Sequence, residues 1–581
     1  MSDSPKEVSD KETAPYAPAS ADVETADHGI LVATAPLARE LKGRHMQMIA
    51  IGGAIGAGLF VGSGSALSTG GPASLVLGYI IVGSMLLVTV QALGELAVLF
   101  PVNGAFFTYI VRFVDPSVGF AVGWDYAIGW LTVLPFELTA AGITIQFWRD
   151  DVNIGVWITM FLVLLFVIQI FGVRGYGEVE FVLSTIKVLG CIGFIILGIV
   201  IDCGGTGSQG YLGAQYWYNP GAFANGFQGF CSVFVVAAFA FGGTELVGLA
   251  AAEAENPRKS IPTATKQVFW RISFFYVVSL FILGLIVPYT NENLLNSTGA
   301  NSKYSPFVIA IELAGIKALP SIFNVIITVS VISVANSCTF GSTRTMQALA
   351  ERGMGPKALA YVDSKGRPIY GVIVQLAFGL LAFIGESNNE NTVFNWLLAL
   401  SGLSFFFIWA AICLAHIRFR HAWKVQGHLK AELPYEAMFG VAGSWYGLLL
   451  NILCMIATFY VSLYPVGASP NAEAFFETYL AAPIIIALEM EPPARESVKR
   501  INPQLWTLGP SHMCIKFKTH DEQPLNSIVP GKTASTHSIP SPETNYFLRP
   551  SRVKAIQQST GSKNAAQEAR SGFLETKQFA K

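Results

Sequence analysis

The chain has 581 residues, 52% of them hydrophobic and only 13% charged, with a formal net charge of -1 and a mean hydropathy of +0.49. An ordinary soluble domain carries about 25% charged residues, so a water-soluble globular protein is excluded, and the near-zero net charge argues against a nucleic-acid partner. The seven cysteines are scattered, most of them in apolar segments, with no CxxC pair and no disulfide-framework spacing; they read as small buried hydrophobes, and no metal site or cofactor is expected.

Residues 1–40 are polar, acid-rich and poor in aromatics. They read as a disordered cytosolic arm without a signal peptide. Apolar runs long enough to span, roughly 17–25 residues each, then recur near 47–68, 75–99, 118–147, 155–172, 179–201, 226–252, 268–288, 307–338, 369–386, 392–416, 444–465 and 474–488. The last contains Pro483 and stops abruptly at Glu489, and residues 489–581 are rich in Ser, Pro, Lys, Gln and Asn without periodicity, as expected of a disordered or aberrant tail. The predicted fold is therefore an all-α polytopic membrane protein with about twelve helices, its membrane domain at 41–488.

Lys/Arg bias orients it. With the N-terminus inside, the cytosolic loops collect a large majority of the basic residues, including Arg258, Lys259, Lys266 and Arg271, Arg344 to Arg367, and Arg418, Arg420, Lys424 and Lys430. The outer side holds only Arg149, Lys303 and Lys317. The same topology puts Asn296-Ser-Thr298, an N-glycosylation acceptor pattern, in an external loop.

Two spans are interrupted. Ala54-Ile-Gly-Ala-Gly-Leu-Phe60 breaks the first, and Phe241-Gly-Gly-Thr-Glu245 breaks the sixth. Breaking a helix frees N–H and C=O groups that hydrocarbon cannot satisfy. Paired broken segments in corresponding positions of two halves point to a transporter's substrate site. No P-loop is present: Gly531-Lys-Thr533 is the nearest fragment, and Asn526 stands where its first glycine belongs, so ATP drive is excluded. There is no assembled nucleophile, base or metal set to suggest an enzyme.

From Leu41 to about Leu488 the chain resembles fungal amino-acid permeases of the amino acid–polyamine–organocation superfamily. The resemblance lies in Leu41-Lys-Gly-Arg-His45, Gly52-Gly-Ala-Ile-Gly-Ala-Gly-Leu-Phe60, Ser68-Thr-Gly-Gly-Pro72, Gly94-Glu95-Leu96, Phe241-Gly-Gly-Thr-Glu245, Glu253-Ala-Glu-Asn-Pro257 and Asn471-Ala-Glu-Ala-Phe-Phe476. It implies ten core helices in two inverted five-helix repeats, as in the leucine-transporter-like fold, plus two more. It also implies general amino-acid uptake at the plasma membrane driven by protons. The resemblance fades at Glu489, where members of the family complete a full twelfth helix.

For an amino-acid substrate, the N–H groups of Ile55, Gly56, Ala57, Gly58 and Leu59 at a positive helix end suit the carboxylate. The carbonyls around Ala240, Phe241 and Gly243 suit the ammonium, with the Phe241 ring as a lid. Glu245, an ionisable group at membrane depth, is a functional candidate by default, for substrate and for proton coupling. Lys187 interrupts the fifth span; in proton-driven relatives a lysine on this helix resembles a stand-in for the sodium ion of sodium-driven cousins. Asp125, Glu137 and Thr139 on the third span are weaker pocket candidates, and Glu95 is expected to pair with an inner-loop arginine. Resemblance to regulated permeases also suggests ubiquitin-ligase regulation through the cytosolic termini, at Lys6 or Lys11. The alternatives are an amino-acid-sensing receptor on the same fold and a carrier of polyamines or γ-amino acids.

Overall fold

In a computed structural model, residues 37–490 are described apart from Ala54, Asp150, 207–208, 296–304 and 387–389; of 295, 385–399, 473–474 and 477 nothing is said beyond the backbone. Asn296, Lys6, Lys11 and nearly all of the tail lie outside the described residues. Among those described the fold is wholly helical, apart from one isolated parallel bridge between Leu41 and Ala254.

The first span is α1 (Gly43–Gly52), a break, and a second half that runs into α2 (Ser63–Leu99) through a π-turn at Gly58–Gly62. Gly71 (φ 80) ends that half, and the rest of α2 is the second span. A short α3 (Ala105–Phe113) leads to α4 (Pro116–Gln146), where Asp115 caps the start by accepting from the Ser117 N–H at 2.7 Å and Pro116 supplies the first turn. Then come α5 (Ile154–Ile170) and α6 (Gly172–Asp202), which close the first five spans.

The second set opens with α7 (Gly226–Phe241), a break, and the short α8 (Leu246–Leu249). Its second span is α9 (Pro257–Trp270) continuing through a π-segment at Arg271–Val278 into α10 (Ser279–Ile286). The small α11 (Glu292–Leu295) and α12 (Pro306–Leu313) precede α13 (Leu319–Glu351). The set ends with α14 (Ile369–Gly379) and α15 (Glu390–Val425); outside it lie α16 (Gly440–Leu463), α17 (Ala472–Tyr479) and α18 (Ala481–Met490), the last two a single interrupted span.

Packing repeats between the two sets. The opening helix of each rests on the closing one, α1 on α6 and α7 on α15, while the two middle helices, α4 and α13, pack together more extensively than any other pair. Five spans is an odd number, so the second set starts from the opposite side of the bilayer, and the repeat is inverted. Burial separates inner from outer helices: the apolar window of the span Gly226–Glu253 is entirely buried, against 28% for Gly440–Leu463. The broken helices therefore sit at the centre and α16 faces lipid.

Three arginines assigned above to cytosolic loops are inside the protein. Arg271 is fully buried and Arg344 and Arg420 nearly so. Each has reached a partner: Arg344 holds Glu253 at 2.8 Å, Arg420 holds Glu95 at 2.9 Å, and Arg271 donates to a helix end described below. A window average along the sequence cannot see that a side chain folds back under its own helix. The basic excess on that side remains without them.

Candidate functional site

In the first break, the Ile55 N–H turns back to the Gly52 carbonyl at 3.0 Å, and the next helical half restarts with Leu59 and Phe60 donating to the Gly56 carbonyl. Gly56, Ala57 and Gly58 thus open a helix, and the leading N–H groups of a helix lack a partner within it. All five residues from Ile55 to Leu59 are buried. In the second break Gly243 takes φ 90, a region a side chain disfavours, so glycine is required for the turn.

The two breaks touch. A Cβ on Gly58 would lie 2.7 Å from the Ala240 Cα, so backbone meets backbone where the broken helices cross. Beside the crossing is a small cavity of about 10 Å³, roughly room for one water, lined by Gly56, Gly58, Trp130, Val133, Glu137, Phe239, Gly242, Val334 and Phe405. Its walls come from the first, third, sixth, eighth and tenth spans. One polar atom of this lining, Glu137 Oε2, is buried with no hydrogen-bond partner among the described residues. Buried polar groups are nearly always paired, so such an atom in a cavity wall points to a ligand.

The predicted residues divide around this cavity. Gly56 and Gly58 line it; Phe241 and Glu245 do not. The Phe241 ring packs away, 4.4 Å from Tyr276 and 5.6 Å from Tyr79 between centroids, and Phe239 takes the lining position. The Ala240 carbonyl accepts from the Tyr276 hydroxyl at 2.7 Å and the Phe241 carbonyl from Thr244 Oγ1 at 2.7 Å. Glu245 accepts from the Gly243 N–H and the Tyr126 hydroxyl at 3.1 Å each, and from Trp409 Nε1 at 3.4 Å. It clasps the turn of the second break. Asp125 accepts from Ser404 at 3.0 Å and lies outside the lining, as does Thr139.

Lys187 is fully buried and donates to the Gly52 carbonyl at 2.7 Å, the negative end of α1. Its acidic neighbour is Glu180, two turns back on the same helix, at 3.7 Å. Glu180 accepts from Ser184 at 2.7 Å and from Ser333 of α13 at 2.7 Å. Arg271 donates to the Ala50 carbonyl at 3.1 Å and to the Tyr276 hydroxyl at 3.3 Å. Through Tyr276 it joins the carbonyl end of the first broken helix to that of the second. Sequence reasoning missed Glu180, Arg271, Trp130 and Phe405. For Glu180 a signal existed, since it lies seven residues before Lys187 and so on nearly the same helix face.

The comparisons agree with this architecture. Residues 45–492 match the family described as amino acid permease. Over 458 residues the chain is 54% identical to a general amino-acid permease of Candida albicans, covering 79% of this chain and 78% of that one. The chain belongs to the amino acid permease family. A general amino-acid permease of Saccharomyces cerevisiae shares 53% identity, with 79% of this permease and 77% of that one covered. A cationic amino acid transporter of Schizosaccharomyces pombe shares 52%, covering 78% and 77%. Among solved structures, a manganese transporter of Eremococcus coleocola aligns with a TM-score of 0.47 at 13% identity over 79% of this permease and 95% of that chain, too loose a likeness to carry weight. The permease is thus a fungal-type, multi-pass membrane transporter of the amino acid–polyamine–organocation superfamily.

Proposed function

We propose that this permease imports free amino acids across the plasma membrane by proton symport with alternating access, its N-terminus in the cytosol. The cavity supports the reading most directly. The N–H groups opening at Gly56, Ala57 and Gly58 suit a carboxylate, the unpartnered Glu137 oxygen on the facing wall suits an ammonium, and Trp130, Val133, Phe239, Val334 and Phe405 leave an apolar space for a side chain. Ile55 and Leu59 frame the first group, and the Ala240, Phe241 and Gly243 carbonyls give the second a polar backdrop, since a carbonyl with one donor keeps a second lone pair. Glu137 is the single carboxylate among the described lining residues. A polyamine, having no carboxylate and several ammonium groups, fits that inventory less well.

Lys187 is the coupling residue in this scheme. Protonated, it ties the end of α1 to α6 through Gly52 and neutralises Glu180; without its proton both attractions weaken and the α1 end is released. Glu245 acts beside it as a second titratable clasp: adding a proton removes an acceptor from Gly243, Tyr126 or Trp409. Leu41, bridged to Glu253 and Glu255 at 3.0 Å each, and the Glu253–Arg344 pair close the cytosolic side.

The test is uptake of a labelled amino-acid panel in permease-deficient cells, with and without a proton uncoupler. Uptake that collapses with the uncoupler is expected. Surface-located protein with no uptake would favour the receptor alternative, and uncoupler-resistant uptake would refute proton drive.

A further inference from the structure

A second cavity, about 820 Å³, lies between the end of α15, the loop that follows it, and the first turn of α16. Among the described residues its walls carry Arg420, Lys424 and Lys430, with His428 held by Glu432 at 2.7 Å, against the carboxylate of Glu436. Arg420 is nearly buried and fixed from two sides, by Glu95 at 2.9 Å and Glu436 at 3.0 Å. Lys430 reaches the same Glu436 oxygen only at 3.8 Å and is 79% exposed, so its charge is largely uncommitted. Trp423 stiffens the floor, donating to the Leu429 carbonyl at 3.1 Å and stacking on His428 at 4.4 Å.

The rim is apolar. Leu429 and Phe439 are each 67% exposed. One to two turns further along α16, Trp445 and Tyr446 are exposed on a helix that otherwise presents Leu449, Ile452, Leu453 and Ile456 outward. Trp and Tyr mark the level of the headgroups on a lipid-facing helix, so the cavity opens where headgroups lie, with its apolar lip toward the acyl chains. Its size matches that of small-molecule pockets, about 300–1,000 Å³.

The geometry points to a binding site here for an anionic phospholipid of the inner leaflet, its headgroup among Arg420, Lys424 and Lys430 and its chains against Phe439 and Leu429. The source of the ligand rests on the reading that this end faces the cytosol, the side on which anionic lipid is concentrated. A water-filled pocket for a free anion would have no need of the exposed Leu429 and Phe439 at its mouth.

The experiment uses the full chain in nanodiscs of phosphatidylcholine alone and of phosphatidylcholine with phosphatidylserine. Both leaflets carry the lipid there and no uptake is measured, so failure of the transport reading or of the orientation would leave the result intact. Phosphatidylserine is expected to raise the unfolding temperature and to stay bound through detergent extraction in native mass spectrometry. The double variant Lys424→Gln/Lys430→Gln should bind about twenty-fivefold more weakly, about fivefold for each lysine. Both side chains are exposed and outside the substrate site, so the variant should match the parent's unfolding temperature in neutral lipid. Equal lipid retention by parent and variant would overturn the assignment. So would an equal shift from inorganic phosphate or glycerophosphoserine, which would make this a simple anion site.

Discussion

The two helix breaks occupy equivalent places in the repeat yet are held by opposite chemistry. At the first, the carbonyl end of α1 is capped by two buried cations, Lys187 on Gly52 and Arg271 on Ala50. At the second, the carbonyl end of α7 is capped by two neutral hydroxyls, Tyr276 on Ala240 and Thr244 on Phe241, and the charge present is the anion Glu245, which accepts from the turn's own N–H. Inverted repeats supply similar backbones; in the proton-coupled reading the side chains decide which break responds. A lysine that gives up its proton loses most of its hold on a carbonyl, whereas a tyrosine hydroxyl keeps its bond. In that reading the first break is thereby built to release, while the second keeps its hydroxyl caps and loses at most an acceptor at Glu245.

Removing the cation tests this contrast most severely. Lys187→Met should abolish uptake, because breaking a buried pair typically destabilises by about 3–5 kcal/mol and Glu180 would be left without its charge partner. Lys187→Arg is the sharper variant, since it keeps a charge that cannot be lost; substrate binding should persist while turnover stops. Normal turnover in Lys187→Arg would mean that deprotonation here is not the coupling step.

Glu137→Gln should raise KM for amino acids about tenfold to a hundredfold, the range of a charged hydrogen bond worth about 1.5–3 kcal/mol, with little change in maximal rate. An unaltered KM from concentration-dependent uptake would remove Glu137 from the substrate site. Tyr276→Phe deletes the hydroxyl joining Arg271 to Ala240. Its expected effect is a fall in maximal rate of about fivefold, a net hydrogen bond being worth about 1 kcal/mol, with normal surface expression; were KM to change instead, the link would belong to binding. Smallest is Glu245→Gln, which should shift the pH profile of uptake with at most a few-fold loss of rate. A superimposable profile would leave Glu245 a neutral-role anchor.

Much of this was legible in the sequence. Apolar run lengths gave most of the spans, although the run at 307–338 divides into α12 and the first part of α13, and the two Gly-interrupted segments marked the breaks that cross beside the cavity. Lys187 stood out as a lone cation among apolar neighbours. The partners did not, since hydropathy reports depth along the membrane normal and not rotation about a helix axis: Arg271 sits where a loop cation would, and only its direction makes it a cap. Phe239 and Phe241 show the same limit. Two residues apart, they differ by about 200° around the helix at 3.6 residues per turn, and one lines the cavity while the other packs against Tyr276. Gly58 carries a second lesson: its lack of a Cβ serves both the opening of a helix and the crossing with Ala240, so Gly58→Val would disturb packing whether or not a carboxylate binds there.

That crossing also has a mechanical meaning. Two backbones in contact form a fulcrum that neither side can compress, and α1 is the lever arm on one side of it. From Gly52 back to Gly43, α1 measures about 15 Å at 1.5 Å per residue, so a tilt of about 15° sweeps its far end by about 4 Å. Atoms next to the fulcrum would travel less than about one ångström through the same tilt. In the alternating-access reading, Leu41 beyond that end can thus swing widely while the cavity at Gly56 and Gly58 keeps its shape.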